Sequence, residues 1–137
     1  MIARGDLGVE LPIYQLPVYQ RRIAEMAHKY GKPVIMATEL MKSMVKSPYP
    51  TRAEVSDVFN SVMARVDATM LSDETAVGLY PVRTVEYMAK TVKEGENEIV
   101  DPHHDFELQN DDENEFLKKA LAKHALMLAD EAKAKAV

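Results

Sequence analysis

Three short apolar runs, at residues 1–6, 34–39 and 68–74, each end in small and polar residues: Gly5-Asp6, Thr38-Glu39 and Ser72-Asp73-Glu74. Aligned on Asp6, Thr38 and Ser72, they recur at offsets of 32 and 34 residues. Each run is too short for a helix and apolar at successive positions, so apolar side chains fall on both faces. That is the pattern of a parallel strand buried on two sides.

Between and after the runs the spacing becomes helical. Tyr19, Ile23, Met26 and Tyr30 recur at steps of four, three and four, and Gly31 stands where a C-terminal cap belongs. Thr51-Arg52-Ala53-Glu54 has the form of a capping box, ahead of an apolar face of Val55, Val58, Phe59, Val62 and Val66. Tyr80-Pro81 opens a third helix, with Pro81 in the first turn, where its missing N–H costs nothing. In that helix Val85, Met88, Ala89, Val92 and Ile99 are predicted to face inward, and Gly95 to cost about 1 kcal/mol relative to alanine.

Strand and helix alternating at this period predict an α/β fold with a parallel sheet. A (β/α)8 barrel of about 250 residues averages about 31 per unit, so the period suits that architecture. Three units cannot close a barrel, and periodicity alone leaves a doubly wound sheet open.

Charge adds a boundary. The net charge of −5 conceals ten acidic residues between Glu94 and Glu115, with no Lys or Arg among them. Outside that stretch seventeen basic residues face twelve acidic ones. A mildly basic body suits an anionic substrate, but it is too slight and scattered for nucleic acid. The acidic stretch predicts a solvated linker over 101–114, between a unit at 1–100 and the start of another at 115–137. In the last segment Leu117, Leu121, Ala125 and Leu128 share one side of a helix, and residues 134–137 have the pattern of a strand beginning. With no cysteine, a disulfide scaffold, a thiol nucleophile and a cysteine-ligated zinc site are excluded. No membrane-length apolar run or leader is visible, so the expected location is cytoplasmic.

In parallel α/β folds chemistry gathers at the carboxyl ends of strands. Asp6 offers hard oxygen ligands of the kind Mg²⁺ prefers. Gly5 allows close backbone approach to a ligand, and Thr38 supplies a hydroxyl for an oxyanion or a water. Spacing alone leaves open whether these residues form a site or merely end strands.

The wording of the strand ends is more specific. Met1-Ile2-Ala3-Arg4-Gly5-Asp6-Leu7-Gly8-Val9-Glu10 closely resembles the metal-binding strand end of the pyruvate kinase family. So do Gly31-Lys32-Pro33-Val34-Ile35-Met36-Ala37-Thr38, Pro50-Thr51-Arg52-Ala53-Glu54-Val55-Ser56-Asp57-Val58 and Met70-Leu71-Ser72-Asp73-Glu74-Thr75-Ala76. The four motifs keep the family's order and spacing, and the resemblance covers residues 1 to about 100.

The resemblance implies the sixth to eighth units of a TIM (β/α)8 barrel, then a connector and the opening of a second α/β domain. It implies phosphoryl transfer from phosphoenolpyruvate to ADP, giving pyruvate and ATP in glycolysis. Asp6 matches one of two carboxylates that hold Mg²⁺ or Mn²⁺. Gly5 and Asp6 match substrate-binding amides, and Thr38 matches a catalytic threonine that contacts the same substrate. Ser72 and Glu74 match strand-end residues beside the site, with Ser72 a candidate on the proton path. Arg52 and Asp57 match positions at a subunit interface, which implies a homo-oligomer, a tetramer in the complete enzyme, with no membrane or nucleic-acid partner.

This chain also departs from the family motif. Glu39 replaces the usual glutamine, Asp73 a glycine or alanine, and Lys42 a glutamate. Added negative charge near an anion site is unfavourable unless a cation offsets it. The family's phosphoryl-stabilising lysine, second metal carboxylate, substrate arginine and K⁺ ligands lie on earlier strands. Met1 matches an internal methionine, so the expectation is a partial chain without activity of its own. The alternative is a short non-catalytic paralogue serving as a binding or assembly module. Arg4-Gly5-Asp6 as an adhesion motif is set aside because a buried strand end cannot present it. Asp101-Pro102-His103-His104-Asp105 reads as a solvated loop rather than a metal site. The nine methionines are expected mostly in the core.

Overall fold

The computed structural model describes residues 1–99, 113–132 and 134. Two compact units emerge, Met1–Glu98 and Ile99–Val137. In the first, β1 (Ile2–Ala3), β2 (Ile35–Ala37) and β3 (Ala68–Met70) form a parallel sheet in that order. Ile2 lies opposite Met36, and Met36 opposite Thr69. The order follows the sequence because each strand returns through a helical crossover long enough for parallel pairing.

Helices α1 (Arg4–Glu10) and α2 (Leu16–Lys29) connect the first two strands, and α3 (Arg52–Met63) the second and third. Helices α4 (Asp73–Ala76) and α5 (Pro81–Glu98) follow β3. Ile2, Val34, Met36, Leu40, Met41, Met44, Val58 and Met88 form the buried cluster between sheet and helices. Four of the nine methionines are thus core residues, while Met1, Met26, Met63 and Met127 are exposed, fewer inside than expected.

The helix ends follow their predicted chemistry. Thr51 accepts from the Glu54 amide while Glu54 accepts from the Thr51 amide, completing the capping box of α3. Gly31 has φ +59°, a conformation that costs glycine little. There Gly31 N donates to His28 O and Lys32 N to Ala27 O, closing the end of α2 in a Schellman arrangement.

Helix faces differ from the predicted ones in two places. In α2 the buried residue is Ala24, whereas the Tyr19, Ile23, Met26 and Tyr30 stripe is exposed. The small alanine allows the helix to lie against the sheet, and the larger side chains point away. In α5 the buried face is Thr84, Met88, Thr91 and Gly95, while Val85 and Ala89 are exposed. Thr84 and Thr91 tolerate burial because each hydroxyl donates to the carbonyl four residues back, at 2.9 Å. Gly95 is a contact glycine: a Cβ there would stand 2.9 Å from Val62 on α3.

The second unit contains α6 (Glu113–Glu131), which starts inside the stretch predicted as linker. Leu117, Leu121, Ala125 and Leu128 are exposed on it. The remainder of that stretch, with His103 and His104, and most of the predicted terminal strand lie outside the described residues; Ala134 is not in a strand. Among the described residues no helix is long and apolar enough to cross a membrane.

Candidate functional site

The strand ends bring together the Gly5 and Thr38 segments. Strand β1 stops at Ala3, so Arg4, Gly5 and Asp6 form the first turn of α1 rather than a strand end, and Gly5 and Asp6 are exposed. The adhesion reading therefore fails for a different reason than burial: Arg4 is committed within the chain. Its Nη1 meets Asp57 Oδ2 at 2.5 Å, and its Nε and Nη2 donate to the Thr38 carbonyl at 3.1 and 2.6 Å. A planar guanidinium presents its donors in a fixed fork that reaches both partners at once, a geometry a lysine ammonium lacks.

The Gly5 amide donates to Thr38 Oγ1 at 2.9 Å. This orients the hydroxyl through its oxygen and leaves its proton to be donated elsewhere. Thr38 and Glu39 have φ of 70° and 56°. Left-handed backbone at two successive non-glycine residues costs of order 1–2 kcal/mol each and persists where surrounding contacts impose it. Here those contacts are Arg4 on the Thr38 carbonyl, Gly5 on its hydroxyl, and Leu40 and Met41 fully buried immediately after.

The third strand end is tied to the second. Glu74, 1% exposed, accepts the Met41 amide at 3.2 Å and the Ser72 amide at 2.8 Å. A carboxyl buried this deeply needs such donors. The Ser72 hydroxyl makes no N-cap bond to α4 and is half-buried beside that anchor. Lys42 Nζ meets Asp73 Oδ2 at 2.6 Å. The Asp73 hydrogen bond and charge hold the Lys42 ammonium above its usual pKa, with Glu39 and Glu74 adding to the effect. Lys42 is thus the cation that offsets the charge of Asp73.

Glu54 extends its capping role to the segment after β2, accepting from Ser43 N and Ser43 Oγ at 2.6 Å each. Burial pulls its carboxyl up, but hydrogen bonds from Ser43 and Thr51 outweigh that and hold it below the ordinary value.

The Asp6 carboxylate is exposed and takes no hydrogen bond or ion pair among the described residues, which suits a single oxygen ligand to a divalent cation. No group of three or more His, Cys, Asp or Glu is placed to hold a metal among the described residues, so Asp6 would need ligands from elsewhere. Asp57, half-buried, is engaged by Arg4. Arg52 is exposed and lines a cleft of about 460 Å³ with Tyr49, Pro50, Val55, Phe59 and Tyr87. His28 and His124 are exposed, each ring bonding a backbone carbonyl at 2.7 Å.

Sequence reasoning assigned no role to Arg4 and missed the grip of Glu74 on Met41. Both partners lie more than thirty residues away, and nothing local signals them.

Residues 1–85 match the family model described as pyruvate kinase, barrel domain. The chain is 52% identical over 102 residues to pyruvate kinase 2 of Synechocystis, covering 74% of this chain and 17% of the relative. It is 46% identical to the Thermotoga maritima pyruvate kinase and 50% to that of Clostridium acetobutylicum, each over 99 residues, 72% of this chain and 21% of the relative. The chain therefore spans about a fifth of the length of these relatives.

Proposed function

Because the chain belongs to the pyruvate kinase family, we propose that its strand ends are one side of a site that transfers phosphate from phosphoenolpyruvate to ADP. The observation that carries this reading is the Gly5 amide bonded to Thr38 Oγ1 at the ends of two adjacent parallel strands. It fixes a hydroxyl with a free proton beside an unpaired carboxylate-bearing turn.

Asp6 would hold Mg²⁺ or Mn²⁺ as one of its ligands. When bound, that cation neutralises charge on the phosphoryl oxygens. Thr38 donates its proton toward an anionic substrate oxygen, the kind of oriented donor that phosphoryl transfer rewards. Gly5, whose amide is occupied by Thr38 here, acts on substrate through that hydroxyl, and the first-turn amide of Asp6 serves the substrate's carboxylate. Ser72 stands on the proton path to the enol, held at its amide by Glu74. K⁺ belongs to the complete enzyme, with ligands supplied outside these residues.

The three βα units are read as part of a closed barrel, a tetrameric and cytoplasmic enzyme when complete, with Arg52 at a subunit contact. The exposed stripe on α2 supports such a setting, because apolar stripes of that kind are normally covered. A short non-catalytic module is the alternative.

The test is a coupled assay of the 137-residue chain with phosphoenolpyruvate, ADP, Mg²⁺ and K⁺. One carboxylate and one hydroxyl cannot replace a second metal ligand and a lysine, so no pyruvate above blank is expected. ADP- and Mg²⁺-dependent pyruvate would overturn the reading of a part-site.

A further inference from the structure

Two adjacent grips join the segment after β2 to the segment after β3. Glu74 accepts the Met41 amide at 3.2 Å, and one residue earlier Asp73 meets Lys42 Nζ at 2.6 Å. Consecutive acidic residues therefore grasp consecutive residues of the other segment. The segment they grasp begins with the two left-handed residues Thr38 and Glu39.

The grips differ in character. Glu74 is buried and, among the described residues, its carboxylate bonds backbone amides alone, so it fixes geometry without regard to the charge of its partner. The outer grip depends on charge: its side chains are 51% and 56% exposed, and Lys42 stands among Asp73, Glu39 and Glu74. Removing either partner alone would leave an uncompensated charge beside a site for anions.

We propose that Lys42 and Asp73 are a matched pair of positioning residues, which neutralise each other and hold the segment that follows the left-handed Thr38–Glu39 turn against the end of β3. The proposal deepens the strand-end reading and rests on it for the identity of the site. The pairing itself is measured without turnover, so the two can fail separately.

Exposed ion pairs contribute little to global stability, so the effect belongs to local opening of that segment. The experiment is amide hydrogen exchange by NMR on the full 137-residue chain. The variants are Lys42→Ala, Asp73→Ala, the double variant, Lys42→Arg and the charge swap K42D/D73K. Each single alanine variant is expected to speed exchange at the hydrogen-bonded Met41 and Met44 amides about two- to fivefold, with Met36 and Val58 unchanged. The double variant matches a single one instead of multiplying them, and Lys42→Arg and the swap restore protection. Multiplicative effects, a swap as fast as Lys42→Ala, or singles without effect would overturn the proposal. If an alanine variant loosens Met36 as well, Lys42→Gln and Asp73→Asn provide the same cycle with nearly isosteric side chains.

Discussion

Arg4 shows how one side chain serves several partners. Its side chain is 10% exposed and bridges the Thr38 carbonyl and Asp57. Replacement by alanine leaves a carbonyl and a carboxylate without their donor, and is expected to cost about 2–3 kcal/mol in urea unfolding. Arg4→Lys should recover less than half, because an ammonium lacks the fork; full recovery would contradict the assigned geometry. Glu54 supplies a pH dependence. Its folded pKa is depressed, so its contribution is present above about pH 4.5 and lost as pH falls through the lower folded value. Stability measured from pH 6 to 3 should decline less steeply in Glu54→Gln than in the parent chain, from a lower plateau; parallel curves would refute the role. The Glu54 cap was legible because both partners stand three residues apart. Arg4 was not, since Asp57 lies 53 residues away.

Among the elements, α5 records the limit of reading faces from hydrophobicity alone. The expected face included Val85 and Ala89, yet Thr84, Thr91 and Gly95 are buried. Threonines that satisfy their own hydroxyls behave as apolar residues of valine size, a property that composition hides. The expected cost of Gly95 as a helix weakener is also incomplete. Alanine there would gain about 1 kcal/mol of propensity, but its Cβ would meet the stiff Val62 side chain at 2.9 Å. Overpacking of this kind costs about 1–3 kcal/mol, so Gly95→Ala should lower the denaturant midpoint. Val62→Ala in the same chain should relieve most of that loss; an unchanged or raised midpoint in Gly95→Ala alone would contradict the contact. The strands were legible because a run apolar on both faces has few alternatives, but burial on two sides holds only in part: Ile35 and Ala68 are exposed, and Thr69 and Met70 half-buried. Their boundaries were not: Arg4-Gly5-Asp6 turns at once into α1, whose start carries Asp6 where a negative charge suits the helix dipole.

At the scale of the whole molecule, three parallel strands and their helices form a core with an exposed apolar stripe on α2. Tyr19, Ile23, Met26 and Tyr30 are each more than a third exposed, and sedimentation velocity should show association that grows with concentration. A sharp monomer at every concentration would mean the stripe needs no cover. The family was legible from four motifs, but the geometry joining Gly5, Thr38, Met41 and Glu74 required the fold. The most direct measurement places residues 1–99 in the corresponding segment of the Thermotoga maritima pyruvate kinase and follows ADP-dependent pyruvate formation. A folded chimera should turn over, with Asp6→Ala and Thr38→Ala each lowering kcat at least a hundredfold, about 3 kcal/mol of barrier. A folded chimera without activity, or one indifferent to both substitutions, would contradict the assignment of these strand ends to phosphoryl transfer.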